Sequence, residues 1–299
     1  EVKLRPRIMA PKGPPRPEEW EPLTPQEVEI LRHCRATLGK DLLGLPDDLV
    51  TMFCRGYVGE KDPKGDTVMH IRETAEWRSA GDVESTLLPE RVPAKRSEFE
   101  RMWRSSIIGE DEVGHIVVME SIGKIPPKEF GQVFVGDKQR EDNFLNQCTY
   151  NKEVLRKRNM LRSTELKRRI YKMIVIIDLS GLSTAHMSSQ FQNLLKTYIG
   201  KYSNLYPESL YKLYVINAPW IFSGMWNMVS AFVHPVTRAK IHIISNPKYA
   251  LEDLAKIGCK LDFEFTDVYE KAPPLSSWAP KLQKVPPPYM PPGENRALS

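Results

Sequence analysis

LYPESLYKLYVINAPWIFSGMWNMVSAFVHPVTRAKIHII, residues 205–244, holds two short apolar runs, Leu213–Ile216 and Ile241–Ile244, with about one helix of sequence between them. Both runs are rich in β-branched residues and have the length of buried strands. A strand, a crossover of this size and a second strand make a parallel pair. The crossover itself is unusual: 220–233 contains Trp220, Ile221, Phe222, Met225, Trp226, Met228, Val229, Phe232 and Val233 and no charged residue. Phe222, Trp226, Val229 and Val233 fall on one helical face, with Met225, Met228 and Phe232 on the next. Such a helix is either sandwiched in a core or is a lid over an apolar cavity that opens toward a membrane, with Gly224 near its start as the hinge.

Working outward, residues 173–177 (MIVII) and the Val-rich stretch within 114–124 (GHIVVMESIGK) read as two further strands buried on both faces. Between them lie a short helix at 127–135 and a long one from Asp142 to about Lys167. Phe191, Leu194, Leu195, Tyr198, Ile199 and Tyr202 form a 3.6-period stripe on a helix over 188–202, and another helix covers 248–257. Toward the amino terminus, Thr24-Pro25-Gln26-Glu27 carries a capping box for a helix to about Leu38. Asp47 or Asp48 opens a second helix, and Val68–Ser79 forms a third. The division expected is a Pro-rich arm (1–23), a small all-α region (24–110), an α/β domain (111–272) and a Pro-rich tail (273–299) that Trp278 and Tyr289 could pin to the surface.

These residues carry a resemblance. YPE at 206–208, INAP at 216–219 and PVT at 235–237 followed by Lys240 resemble the central motifs of the CRAL-TRIO lipid-binding family, most closely its fungal phosphatidylinositol-transfer branch. GHIVVMESIGK is similar to that family's GRPVYFEELGKI, and IIDLSGLS at 176–183 to its IMDLKGIS, so the likeness runs from about Leu49 to Tyr249. It implies an α/β fold in which a mostly parallel sheet flanked by helices holds an apolar lipid cavity under a gate helix, preceded by the family's N-terminal helical region. Glu208, Thr237 and Lys240 match the residues that contact the inositol phosphate headgroup. Val175, Ile177, Val215, Phe222, Met225, Trp226, Val229 and Phe232 are the candidates to line cavity and gate. Three departures stand out. The family's FLRARKF is replaced by FCRGYV at 53–58, which removes a phosphate-contacting basic pair and leaves Arg55 or Lys61 as substitutes. Met173 and Val175 stand where hydroxyl residues face the choline headgroup in members that also carry phosphatidylcholine. The family's short PEYGG segment is absent after residue 257.

The physical chemistry of the trio agrees with that role. Lysine is a compact cation suited to a phosphodiester, threonine adds a hydroxyl, and a carboxylate accepts from inositol hydroxyls or holds the lysine in place. The plainer alternative is an ion pair between Glu208 and Lys240 at the surface. The chain of 299 residues has a net charge of +5 and a pI near 8.9, which suits anionic membranes as well as nucleic acid. No 18-residue apolar run is present. The cationic run from Lys152 to Lys172 reads as a solvated helix face, or else as a patch attracted to anionic lipid; it lacks the interleaved aromatics of a nucleic-acid surface. Cys34, Cys54, Cys148 and Cys259 make no metal or disulfide pattern, which favours a reducing compartment. No phosphate-binding loop, nucleophile elbow or metalloprotease motif occurs. The expectation is a non-catalytic phospholipid carrier without cofactor or metal, cytoplasmic and peripherally attached to membranes. Its ligand is expected to be phosphatidylinositol, and its prolines are available to proteins that bind Pro-rich motifs. The alternatives are a lipid-regulated adaptor, or a carrier of a sterol, a tocopherol-like isoprenoid or haem.

Overall fold

Capping chemistry sets the helix starts. The Glu27 N–H donates to Thr24 Oγ1 at 3.3 Å while the Glu27 carboxylate accepts the Thr24 N–H at 2.7 Å, and α1 follows as Pro25–Leu38. The computed structural model describes residues 18–231 and 233–291. After α2 (Asp47–Gly56) comes α3 (Pro63–Ala80), which begins earlier than its apolar pattern indicates. The reason is local: the Asp62 carboxylate accepts the Gly65 N–H at 3.1 Å, and Pro63 suits a first turn. The chain continues through α4 (Arg96–Met102), β1 (Ser105–Glu110), β2 (Ile116–Glu120), α5 (Pro127–Phe134), α6 (Lys138–Leu166), β3 (Met173–Asp178), α7 (Ser189–Leu205) and β4 (Leu210–Ile216). It ends with α8 (Phe222–Ser230), α9 (Pro235–Ala239), β5 (Ile241–Ile244), α10 (Pro247–Lys256), β6 (Lys260–Leu261), α11 (Val268–Lys271) and α12 (Ala279–Leu282).

The strands form one sheet in the order β5-β4-β3-β2-β1-β6. Strands β2 to β5 are parallel, and β1 runs antiparallel to both of its neighbours. Strand β1 lies inside the stretch expected to be helical. Its polar Ser105 and Ser106 hide it from pattern reading, and its register slips between Ile107 and Gly109. There Gly109 takes φ 154°, and a Cβ would stand 2.1 Å from the Lys260 carbonyl oxygen.

Register assigns the two faces. Val118, Val175, Leu213 and Ile241 lie in one row and Glu120, Ile177, Val215 and Ile243 in the next, so by the alternation of a pleated strand they share a face. The intervening Val117, Met119, Ile174, Ile176, Tyr214 and Ile216 pack on Ala250 and Leu254 of α10 and on Val268 of α11.

Two expectations are corrected. In the run from Lys152 to Lys172, Arg156, Arg162 and Lys172 are paired with carboxylates rather than solvated. Arg156, 6% exposed, meets Asp48 at 3.0 Å and Glu84 and Glu153 at 2.9 Å, and Arg78 reaches Glu153 at 3.0 Å. Burial opposes ionisation of Glu153, yet Arg156 and Arg78, with hydrogen bonds from Arg78 and the Tyr206 hydroxyl, hold its carboxyl far below the ordinary range. The segment after Pro273 is no tail as far as α12: Leu275, Ala279 and Leu282 are buried against Leu87, Ile107 and Tyr150, and the Arg158 guanidinium lies 4.8 Å over the Trp278 ring.

The end of the amino-terminal arm is equally built in. Arg55 donates to the Glu18 and Glu21 carbonyls at 3.2 and 2.5 Å and to the Tyr171 hydroxyl at 3.1 Å. His115, fully buried, contacts Asp111 through Nδ1 at 2.7 Å and Glu19 through Nε2 at 2.9 Å. Burial works against its charge, but the two carboxylates prevail and raise its pKa to about 9. The remainder of the arm, residues 1–17, lies outside the described residues.

Candidate functional site

Above the face that carries Val118 and Val175 lies a cavity of about 390 Å³, within the range that encloses a drug-sized ligand. The sheet supplies its floor, α6 and α7 its walls and α8 its cover. Of the residues expected to line it, Val175, Ile177, Val215, Phe222, Met225, Trp226 and Val229 all do. Phe232 lies outside the described residues. Sequence alone left open whether the uncharged helix was sandwiched or a lid; here it covers a hollow. Gly224 is exposed with open space around it, so no close approach requires a glycine there.

Glu208, Thr237 and Lys240 line the same cavity. Pro207 and Glu208 form the turn into β4, Glu208 with φ 53°, and Gly56 lets the end of α2 approach: a Cβ there would be 3.0 Å from Pro207 Cβ. Thr237 lies in α9, which Pro235 opens, and Lys240 ends it. Lys240 Nζ stands 3.2 Å from Glu208 Oε2, and Lys172 Nζ approaches the same oxygen at 3.1 Å. Burial opposes ionisation of Glu208, but the two ammonium groups hold its carboxyl below the usual carboxylate range. The arrangement is a carboxylate between two cations with a hydroxyl beside them. Its net positive charge suits an anionic group, and the carboxylate can turn to a polyol once an anion engages a lysine.

Lys172 is a participant that sequence reading placed in a solvated run. Its signal was position, directly before the buried strand β3. Arg55 and Lys61, the possible replacements for the missing basic pair, do not line the cavity. Arg55 is committed to the arm, and Tyr57 lines the cavity with its ring stacked on His70 at 4.5 Å. At the rim, His234 Nε2 meets Glu60 at 3.0 Å and links the segment after α8 to the loop after α2. Trp220, just before α8, is 86% exposed. Among the described residues no helix is long and apolar enough to cross a membrane, and no cluster of His, Cys, Asp or Glu could hold a metal ion.

Comparison with known proteins places this geometry. The family model described as CRAL/TRIO domain matches residues 100–257. The phosphatidylinositol/phosphatidylcholine transfer protein SFH9 of Arabidopsis thaliana is 29% identical over 220 residues, covering 73% of this chain and 37% of that protein. The Sec14 cytosolic factor of Schizosaccharomyces pombe is 33% identical over 144 residues, 46% of this chain and 47% of that one. The crystal structure of Sfh5 superposes with a TM-score of 0.51 at 22% identity, covering 70% of this chain and 68% of the other, which demonstrates a common fold. The chain spans less than half the length of these curated relatives.

Proposed function

The chain belongs to the CRAL/TRIO domain family, and on that premise we propose that it binds phospholipid, phosphatidylinositol foremost, and exchanges it at membrane surfaces. The observation that carries this reading is a single hollow with two chemistries: an apolar interior under a helix without charge, and Glu208, Thr237 and Lys240 at one side of it. In the cycle we envisage, the contact between His234 and Glu60 breaks and α8 swings out, led by Trp220. The apolar face of α8 rests in the bilayer interface while one lipid moves in. The phosphodiester takes Lys240, with Lys172 behind it, and the Thr237 hydroxyl donates to a phosphate oxygen. Glu208, released from Lys240, accepts from inositol hydroxyls. Closure keeps the acyl chains in an apolar environment, so they are shielded from water throughout an exchange that involves no covalent chemistry. In this reading the protein works between aqueous cytoplasm and membrane surfaces, and proteins that read proline-rich motifs are its further partners.

The test is transfer of labelled phosphatidylinositol between vesicles by the full chain and by Lys240→Ala. A charge-assisted hydrogen bond contributes about 1.5–3 kcal/mol, so the variant is expected to bind phosphatidylinositol about 10- to 100-fold more weakly with unchanged stability. Equal binding by both proteins overturns the headgroup assignment.

A further inference from the structure

Past α12 the chain runs Lys284-Val285-Pro286-Pro287-Pro288-Tyr289-Met290-Pro291. Val285, Pro286 and Pro287 each precede a proline, which drives all three toward extended backbone, and the rings of the prolines fix φ over 286–288. The segment accordingly holds neither helix nor strand, and its composition favours the left-handed polyproline helix with three residues per turn. Pro286 and Tyr289 then stand one turn apart on the same edge, with Pro287 beside them.

The segment is anchored at both ends and open in the middle. Leu282 is buried among Leu87, Ile107 and Tyr150, Val285 packs on the same cluster, and Pro291 is buried. Between these anchors Pro286 and Pro287 are exposed, while Pro288 and Tyr289 are half-buried. Among the described residues, 285–291 make one hydrogen bond to the rest of the chain, from Thr164 Oγ1 to the Pro287 carbonyl at 3.3 Å. Tyr289 makes no hydrogen bond and no ring contact among them. The hydroxyls of Tyr171, Tyr202, Tyr206 and Tyr214, by contrast, all have protein partners.

A pre-extended segment loses little freedom on binding, and the aromatic-lined grooves of SH3 and WW modules read polyproline helices. The two classes differ in what they need beside the prolines. An SH3 groove takes P-x-x-P flanked by Arg or Lys. The one such spacing within 285–292, Pro288 to Pro291, has Val285 and Gly293 at the flanking positions, and its second proline is buried. A WW groove takes two prolines and a tyrosine spaced P-P-x-Y, which Pro286, Pro287 and Tyr289 supply.

We propose that Pro286-Pro287-Pro288-Tyr289 is the docking site of a partner protein that carries a WW-type module. This partner is a narrower case of the readers of proline-rich motifs proposed above, and it rests on that proposal. The cluster that anchors the segment includes Ile107 of β1, and the sheet order puts β1 about 19 Å from β5. Helix α8 joins β4 to β5, so docking and the opening of α8 use different edges of the sheet. A partner is therefore recruited while the protein is engaged with a membrane.

The experiment is calorimetry of the full chain against a recombinant WW module that binds P-P-x-Y peptides and against an SH3 module, with phosphatidylinositol binding measured alongside. The full chain is expected to bind the WW module and not the SH3 module. Tyr289→Ala and Pro287→Ala are each expected to weaken that binding at least about tenfold, and Pro288→Ala, at the unread position, to change it less than about twofold. Phosphatidylinositol binding is expected to be the same in all of them. The choice between the two modules is made on the unaltered chain, so it stands even if a variant fails to fold. Binding of the SH3 module alone overturns this site and leaves the broader proposal of proline-motif readers in place. Failure of both modules overturns site and broader proposal together, with the lipid reading judged separately by the phosphatidylinositol measurement. WW binding that survives Tyr289→Ala also overturns the site.

Discussion

His115 offers a quantitative test of how the amino-terminal arm is held. The imidazole is buried, with Asp111 on one nitrogen and Glu19 of the arm on the other, and its pKa rises from 6.5 to about 9. The folded value lies above the unfolded one, so the protonated clasp contributes its full stability below about pH 6.5 and loses it as the pH climbs through 9. Each pH unit between those values corresponds to about 1.4 kcal/mol, which makes the contribution about 3 kcal/mol. Urea unfolding at pH 6 and pH 9.5, for the native chain and for His115→Gln, isolates it, because other titrating groups affect both proteins alike. The native chain is expected to lose about 3 kcal/mol more than the variant over that range. Parallel pH dependences in the two proteins would refute the idea that His115 is a cation clamped between carboxylates.

Arg156→Met leaves Asp48 and Glu153 buried with a reduced share of positive charge, and loss of one partner of such a network costs about 3–5 kcal/mol, read as a lower urea midpoint. In Gly123→Ala the new methyl would stand 2.4 Å from the Leu179 carbonyl carbon and 2.6 Å from the Ser180 carbonyl oxygen. Backbone must shift, so a destabilisation of about 3 kcal/mol is expected, with an unchanged m-value in denaturant titration. Trp220→Ser removes an exposed ring. Stability is expected to stay within about 0.5 kcal/mol while co-sedimentation with anionic vesicles weakens about tenfold, and undiminished vesicle binding would remove Trp220 from the docking step.

What the sequence disclosed, and what it hid, follows from the range of the interactions. Strands β2, β3 and β4 were visible because a strand in the middle of a sheet covered on both sides is apolar on both faces, β5, at the sheet edge, because of its run of isoleucines, and α1 because its cap is complete within four residues. Strand β1 was not, since Ser105 and Ser106 are buried by neighbours distant in sequence and its register is broken at Gly109. The basic run misled for the same reason. Nothing local in Arg156 or Lys172 distinguishes a solvated cation from one whose partner, Asp48 or Glu208, lies dozens of residues away. At the site, the apolar lining and the trio Glu208, Thr237 and Lys240 came from motif and pattern together. Lys152 and Glu120, which also line the cavity, escaped because a single charge in an amphipathic helix or at a strand end is ordinarily solvent-facing, and only the sheet register turns Glu120 inward.

The family match begins at residue 100, but the ion pairs do not respect that limit. Arg156 and Glu153 of α6 are neutralised by Asp48, Arg78 and Glu84, and His115 shares its proton with Glu19. A fragment cut at the family boundary would expose a bare cation here and an orphaned carboxylate there. The recurring module of evolution and the smallest self-sufficient folding unit are therefore different lengths of this polypeptide, and the amino-terminal third belongs to the second.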